Sequence, residues 1–176
     1  NLELFFIETD YVVELICLTQ LHPLDLNLVE RSINITRKIL IVEDGHSELH
    51  GRLISKSLLG LGHEVKSFYW YEYFSVNNSA LKRLFYKIQN KLIVGPIVKK
   101  LNSDIEDLAN DFKPNMIFFY RGTHIFKKTL TRIKSDNPNC ILAGYNNDDP
   151  FSDSSPKYLM RHFLKSMNVY DIMLSY

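Results

Sequence analysis

From Lys38 onward two hydrophobic patterns take turns along the chain. Lys38 to Val42 is a nearly continuous apolar run rich in Ile and Val, as in a strand buried on both faces. Leu49, Leu53, Ile54, Leu58 and Leu61 then recur at helical spacing, and Gly62 supplies a C-terminal stop. Glu64 to Trp70 reads as the second strand. The polar break Asn77-Asn78-Ser79 caps a long helix with Leu81, Leu84, Phe85, Ile88 and Leu92 on one face. Gly95-Pro96 kinks or divides that helix, and Ile97, Leu101, Ile105, Leu108 and Phe112 continue the stripe. Asn115 to Tyr120 is the third strand, and Phe126 to Lys134 a short helix closed by Asn137-Pro138. Cys140 to Tyr145 is the fourth strand, Pro156 to Met167 a helix with Pro in its first turn, and Ile172 to Tyr176 the fifth strand. Strands alternating with helices predict a parallel sheet with right-handed crossovers: a Rossmann-like three-layer α/β sandwich.

Residues 1–36 lack a clear period. Tyr11 to Leu18 fits a strand or a short helix, His22-Pro23 breaks it, and Leu24 to Ile33 is weakly helical. The expectation is an N-terminal extension of unknown role over 1–36 and a Rossmann-like domain over 37–176. The chain opens on Asn1 and closes inside an apolar run at Tyr176, so it is read as a fragment whose second domain lies beyond its end.

Its 176 residues suit one domain plus an extension. With 21 basic against 20 acidic residues, the net charge of +1 gives no general pull toward nucleic acid. Cys17 and Cys140 make neither a metal-ligand spacing nor a disulfide framework, so a cytoplasmic location is expected. The most apolar candidate for a span, Tyr11 to Leu18, is short and interrupted by Glu14. Acidic residues flank it and no basic segment precedes it, so it is not read as a signal peptide.

In sheets of this kind ligands gather at the carboxyl ends of the strands. Four loops qualify: Glu43-Asp44-Gly45-His46, Tyr69 to Phe74, Tyr120-Arg121-Gly122-Thr123, and Asn146 to Ser155. The acidic pair Glu43-Asp44 matches the opening of a phosphorelay receiver. A receiver also needs a phosphorylatable Asp at the end of the third strand, where this chain has Tyr120-Arg121-Gly122. The acidic pair is then an exposed loop in which Gly45 turns the backbone toward a helix. Gly45 and Gly51 are too far apart for a dinucleotide fingerprint, and Gly60-Leu61-Gly62 sits at the wrong end of its helix.

"YNNDDPFSDSSP", residues 145–156, is the densest polar cluster. Its adjacent carboxylates and amides suit hydrogen bonds to sugar hydroxyls or general-base work; the plain alternative is a helix-starting turn. The histidines form no metal pattern: His46 and His50 have zinc-helix spacing, but Ser47 stands where a glutamate should follow. His46 and His124 stay candidates because both lie near the crevice. Lys82, Arg83, Lys87, Lys91, Lys99 and Lys100 line the long helix. They read as a solvated face or as a peripheral contact with an anionic membrane.

The opening strand, "LGLGHEV", "FKPNMIFFYRG", "NPNCILAGYNNDDPFS", the later Arg161 and "YDIMLSY" occur in an order that resembles the amino-terminal domain of CgeB-like (spore maturation protein) glycosyltransferases. The resemblance covers roughly residues 38–176 and implies the GT-B arrangement of two Rossmann-like domains. It implies a nucleotide-sugar donor held mainly by the other domain, a saccharide or protein acceptor on this one, and no metal or cofactor. Asp148 or Asp149 would be the general base or an acceptor contact, beside Asn146 and Asn147. Arg121 and Gly122 would face an anionic group across the cleft, and Glu43, Asp44, Gly45 and His46 would line the acceptor side. The competing class is a non-catalytic Rossmann-like module that binds a small ligand or a partner.

Overall fold

The computed structural model describes residues 4–9, 12–17, 37–45, 51–75, 79–146 and 157–175. Leu4–Thr9 (β1) and Val12–Cys17 (β2) pair antiparallel and form a two-stranded sheet of their own. Of the two readings for Tyr11 to Leu18, the strand is the one adopted over Val12–Cys17. The weakly helical reading of 24–33 lies outside the described residues.

The main sheet contains Lys38–Glu43 (β3), Glu64–Tyr69 (β4), Met116–Tyr120 (β5), Ile141–Asn146 (β6) and Ile172–Ser175 (β7). Their order is β4-β3-β5-β6-β7, and every neighbouring pair is parallel. The helices are Gly51–Gly60 (α1), Ala80–Leu92 (α2), Pro96–Phe112 (α3), Lys127–Asp136 (α4) and Lys157–Ser166 (α5). The expected Rossmann-like α/β sandwich is the observed architecture.

Side chains alternate across the sheet, as strand geometry requires. Leu40, Val42, Ile117, Phe119 and Leu142 face one layer and pack with Leu101, Ile105, Ala109 and Phe112 of α3 and Leu130 and Ile133 of α4. Ile39, Ile41, Met116, Phe118, Tyr120 and Ala143 face the other and pack with Ile54 and Leu58 of α1. Burial on both faces explains why these strands read as continuous apolar runs rather than alternating ones. Each such side chain contributes roughly 1.5–3 kcal/mol by leaving water.

The stop at Gly62 is a Schellman end. The His63 N–H donates to Leu58 O (3.1 Å) and the Gly62 N–H to Leu59 O (3.0 Å), with Gly62 at φ +85°. Between α2 and α3 the chain is divided, not kinked. Ile93 takes a left-handed conformation at φ 51°, Gly95 sits at φ 106°, and Pro96 opens α3. Gln89 Oε1 accepts the Ile97 N–H at 2.9 Å, satisfying one free donor of the new helix. Its side chain occupies the space a Cβ on Gly95 would need. Two sequence expectations change here. Ser79 holds the N-cap position of α2, but its side chain makes no capping bond. The apolar stripe does not run on unbroken either: α3 buries its share, whereas α2 leaves Leu81, Leu84, Phe85, Ile88 and Leu92 exposed.

Candidate functional site

The chain leaves β3 to one side, through α1 to β4, and returns to the other side at β5. The carboxyl ends of β3 and β5 therefore flank the topological switch point, where such sheets open a crevice. The strands end nearly flush: Glu43 pairs with Tyr69, Val42 with Phe119, and Tyr120 with Tyr145. Glu43, Asp44, Gly45, Arg121, Gly122 and Asn146 consequently share one edge, as the sequence implied. His46, Asn147, Asp148 and Asp149 lie outside the described residues.

Arg121 spans the switch point. Its Nη1 lies 3.4 Å from Asp44 Oδ2, joining the loop after β5 to the loop after β3. Arg121 is partly exposed and Asp44 almost wholly buried, so the acid needs a nearby cation more than the cation needs the acid. Arg121 has a left-handed backbone at φ 54°, uncommon outside glycine. Gly45, at φ 76°, brings its backbone against the Tyr69 ring. Gly122 leaves room for the Tyr170 hydroxyl, and Asn146 is fully buried with its amide 3.7 Å from Met160 Sδ on α5. Under the edge, the Tyr120 and Tyr145 rings stack at 5.6 Å.

Glu43 differs from the expected loop residue. It is the last residue of β3, is only 1% exposed, and its Oε1 has no hydrogen-bond partner among the described residues. Burial first, and then the Asp44 carboxylate, push its pKa up to about 7, against a smaller opposing pull from Arg52. Its carboxyl lies over the backbone of Gly51, filling the place where any larger residue would carry a Cβ. Sequence reasoning put Glu43 beside its loop neighbours and read Gly51 only as half of a failed fingerprint. The available signal was an acidic residue closing an uninterrupted buried run, with a glycine at the start of the following helix.

His124 is a core histidine. Its ring stacks on Trp70 at 4.1 Å, Nε2 lies 2.8 Å from Asn90 Oδ1, and Nδ1 lies 3.0 Å from Thr123 Oγ1. Donation from Nε2 to Asn90 and acceptance at Nδ1 from the threonine hydroxyl satisfy both nitrogens in the neutral form. Burial lowers the pKa to about 4. Asn102 secures the same region by donating to Val98 O and His124 O and accepting from the Phe126 N–H. The Cys140 thiol is buried and pushed up to about 12, so it is no nucleophile near neutral pH. Among the described residues no three His, Cys, Asp or Glu side chains converge in a metal-binding group, and no helix is long and apolar enough to cross a membrane.

The sheet order, with the first strand of the domain next to the third, is also that of receivers. Here Tyr120 ends the third strand and the cation of Arg121 approaches Asp44, where a receiver would place its phosphorylated aspartate and a shared magnesium ion. Beryllofluoride with magnesium is therefore expected to leave the amide signals around Asp44 unmoved. A saturable shift at Asp44 and Gly45 would restore the receiver reading.

No protein-family profile matches the chain, and no curated protein matches it. Among the solved structures that align with it is a pilus assembly-related protein from Burkholderia pseudomallei, over 80% of this chain and 78% of its own at 12% identity. Its TM-score of 0.41 is too low to carry an argument about either chain.

Proposed function

We propose that this chain is the acceptor-side domain of a glycosyltransferase that draws on a nucleotide-sugar donor, with Glu43 as the group that takes the acceptor's proton. The observation that supports this reading is the buried Glu43 carboxyl at the switch point, its Oε1 without a hydrogen-bond partner among the described residues and its pKa pushed up to about 7. A base for an alcohol works best when its pKa lies near the working pH. An ordinary exposed carboxylate, with a pKa near 4.3, lies further below that range. In the reaction the acceptor oxygen attacks the anomeric carbon and its proton passes to Glu43. The bond from that carbon to the nucleoside diphosphate breaks, and the diphosphate departs with the electron pair.

The other residues take supporting roles. Asp148 and Asp149, with Asn147, are assigned to the acceptor's hydroxyls, and the exposed part of the Arg121 guanidinium to an anionic group on the acceptor. Asp44 holds Arg121 in place. Donor binding is assigned to a second domain, as the resemblance to CgeB-like enzymes implies.

The test uses the complete protein with a panel of nucleotide-sugars and measures acceptor-dependent release of nucleoside diphosphate. Asp148→Asn and Asp149→Asn should raise the acceptor KM more than they lower kcat, with donor affinity unchanged. Arg121→Ala should weaken anionic acceptors selectively. A second reading, a non-catalytic binding module, draws on the ion pair that bridges the β3 and β5 loops. It gains if no nucleotide-sugar yields diphosphate while a small ligand still perturbs Arg121 and Asp44.

A further inference from the structure

Helix α2 is mounted the wrong way round for a helix of the core. The side it turns inward is polar: Gln89 is buried, and Tyr86 and Asn90 are partly buried. The side it turns outward is apolar, with Leu81 81% exposed, Leu84 56%, Phe85 51%, Ile88 47% and Leu92 48%. Their spacing places all five in one stripe. Val94, also exposed, extends it beyond the helix end.

Directional bonds fix this orientation. Asn90 Oδ1 meets His124 Nε2 at 2.8 Å, and Arg161 Nη2 donates to Leu92 O at 2.6 Å and to Ile93 O at 3.3 Å. Gln89 holds the start of α3 through the Ile97 N–H. The helix cannot roll its apolar stripe inward without breaking all of them. Contiguous exposed apolar stripes of this kind mark contact surfaces.

Charge indicates what makes the contact. Ala80–Leu92 carries Lys82, Arg83, Lys87 and Lys91 and no acidic residue. At 100° per residue, Lys91 and then Lys87 border the stripe beside Leu84, whereas Lys82 falls beyond the buried Gln89 on the other side. Such a helix has its apolar face set for the acyl boundary and its cations set to reach phosphates, their stems lying along the apolar surface. A second copy of the chain would bring like charges together, which opposes a symmetric dimer through this face. A single convex helix about 20 Å long also falls short of a standard protein interface.

We propose that α2 is an interfacial helix that seats the protein on an anionic lipid surface, with Leu84, Phe85 and Ile88 below the headgroups. Because α2 bonds to His124, three residues beyond Arg121, it flanks the switch-point loops and sets the crevice beside the membrane. The proposal rests on α2 alone and stands or falls separately from sugar transfer.

The test sediments the 176-residue chain with phosphatidylcholine vesicles and with equimolar phosphatidylcholine–phosphatidylglycerol vesicles. The chain should bind the anionic vesicles and leave the neutral ones. Binding should weaken when salt shortens the screening length to a few Å, at about 1 M. Phe85→Glu should weaken binding about tenfold or more by placing a charge in the apolar stripe. Lys87→Glu with Lys91→Glu should do likewise by reversing the surface attraction. These positions are exposed, so unchanged circular dichroism is expected. Phe85→Trp should bind and shift its fluorescence to the blue, against the buried background of the chain's only tryptophan, Trp70. Fluorescence that stays at its aqueous wavelength, charge-reversed variants that bind as well as the parent, or a dimer dissolved by Phe85→Glu would each overturn the proposal.

Discussion

Glu43→Gln is expected to make the protein more stable above pH 7 and, on the role proposed for Glu43, to remove nearly all sugar transfer. Below pH 4.5 the carboxyl is neutral both folded and unfolded, and the substitution changes little. Between pH 4.5 and about 7 the folded form keeps a proton that the unfolded chain has lost. The stability held by the neutral carboxyl therefore declines as pH rises through that window, and above it the fold carries a buried charge. A displacement of about 2.5 units corresponds to roughly 3 kcal/mol. A glutamine of the same shape has no charge to bury. Denaturation at pH 8 should show the variant more stable by up to about 3 kcal/mol, with no gain at pH 4.5. His124 runs the other way: its pKa of about 4 makes the fold lose stability as pH falls below the ordinary histidine range. The two trends oppose each other in the parent, so the difference between variant and parent is the informative quantity. For transfer, losing a positioned base should cost about 10²-fold or more. A residue whose removal stabilises the fold and abolishes activity is one kept for function.

Gly51→Ala is expected to dislodge the same carboxyl from the other side. The new methyl would overlap Glu43 Oε1, Oε2 and Cδ, so either the carboxyl swings away or the helix start shifts. Overpacking of this kind costs about 1–3 kcal/mol, and because the obstruction is a side-chain tip the carboxyl should yield first. Once displaced toward water, Glu43 should titrate in the ordinary carboxylate range and the transfer rate should fall with it. The control is the pair: with Glu43→Ala already in place, Gly51→Ala should cost much less than it does alone. Equal costs in both backgrounds would mean that Gly51 serves the helix and not the carboxyl.

Much of the sheet was legible because burial on both faces leaves a plain mark. Ile39 to Val42 and Met116–Tyr120 are solid apolar runs, and the helices between them are stopped by Gly62 and divided by Gly95-Pro96. Less was legible where bonds across the chain override local pattern. The stripe on α2 looks like a core stripe, and only Asn90, Gln89 and Arg161 reveal that it faces outward. His124 looked like a crevice residue because it follows β5 closely; its place beneath Trp70 depends on a turn 54 residues earlier. The site was half visible. The loops sharing the edge follow from strand alternation, and the Arg121–Asp44 pair follows from which strands are neighbours. The state of Glu43 depends on desolvation, whose signal in the sequence is only indirect: an acid closing a buried run before the glycine that opens the next helix.

The pH dependence of kcat/KM for the proposed sugar transfer tests the account most directly. The rate should rise with pH along an acid limb whose midpoint lies near 7, the value to which burial and Asp44 bring Glu43. Glu43→Gln should remove that limb together with about 10²-fold or more of the rate. A Glu43→Gln enzyme that transfers at the parental rate with the limb intact would contradict the account.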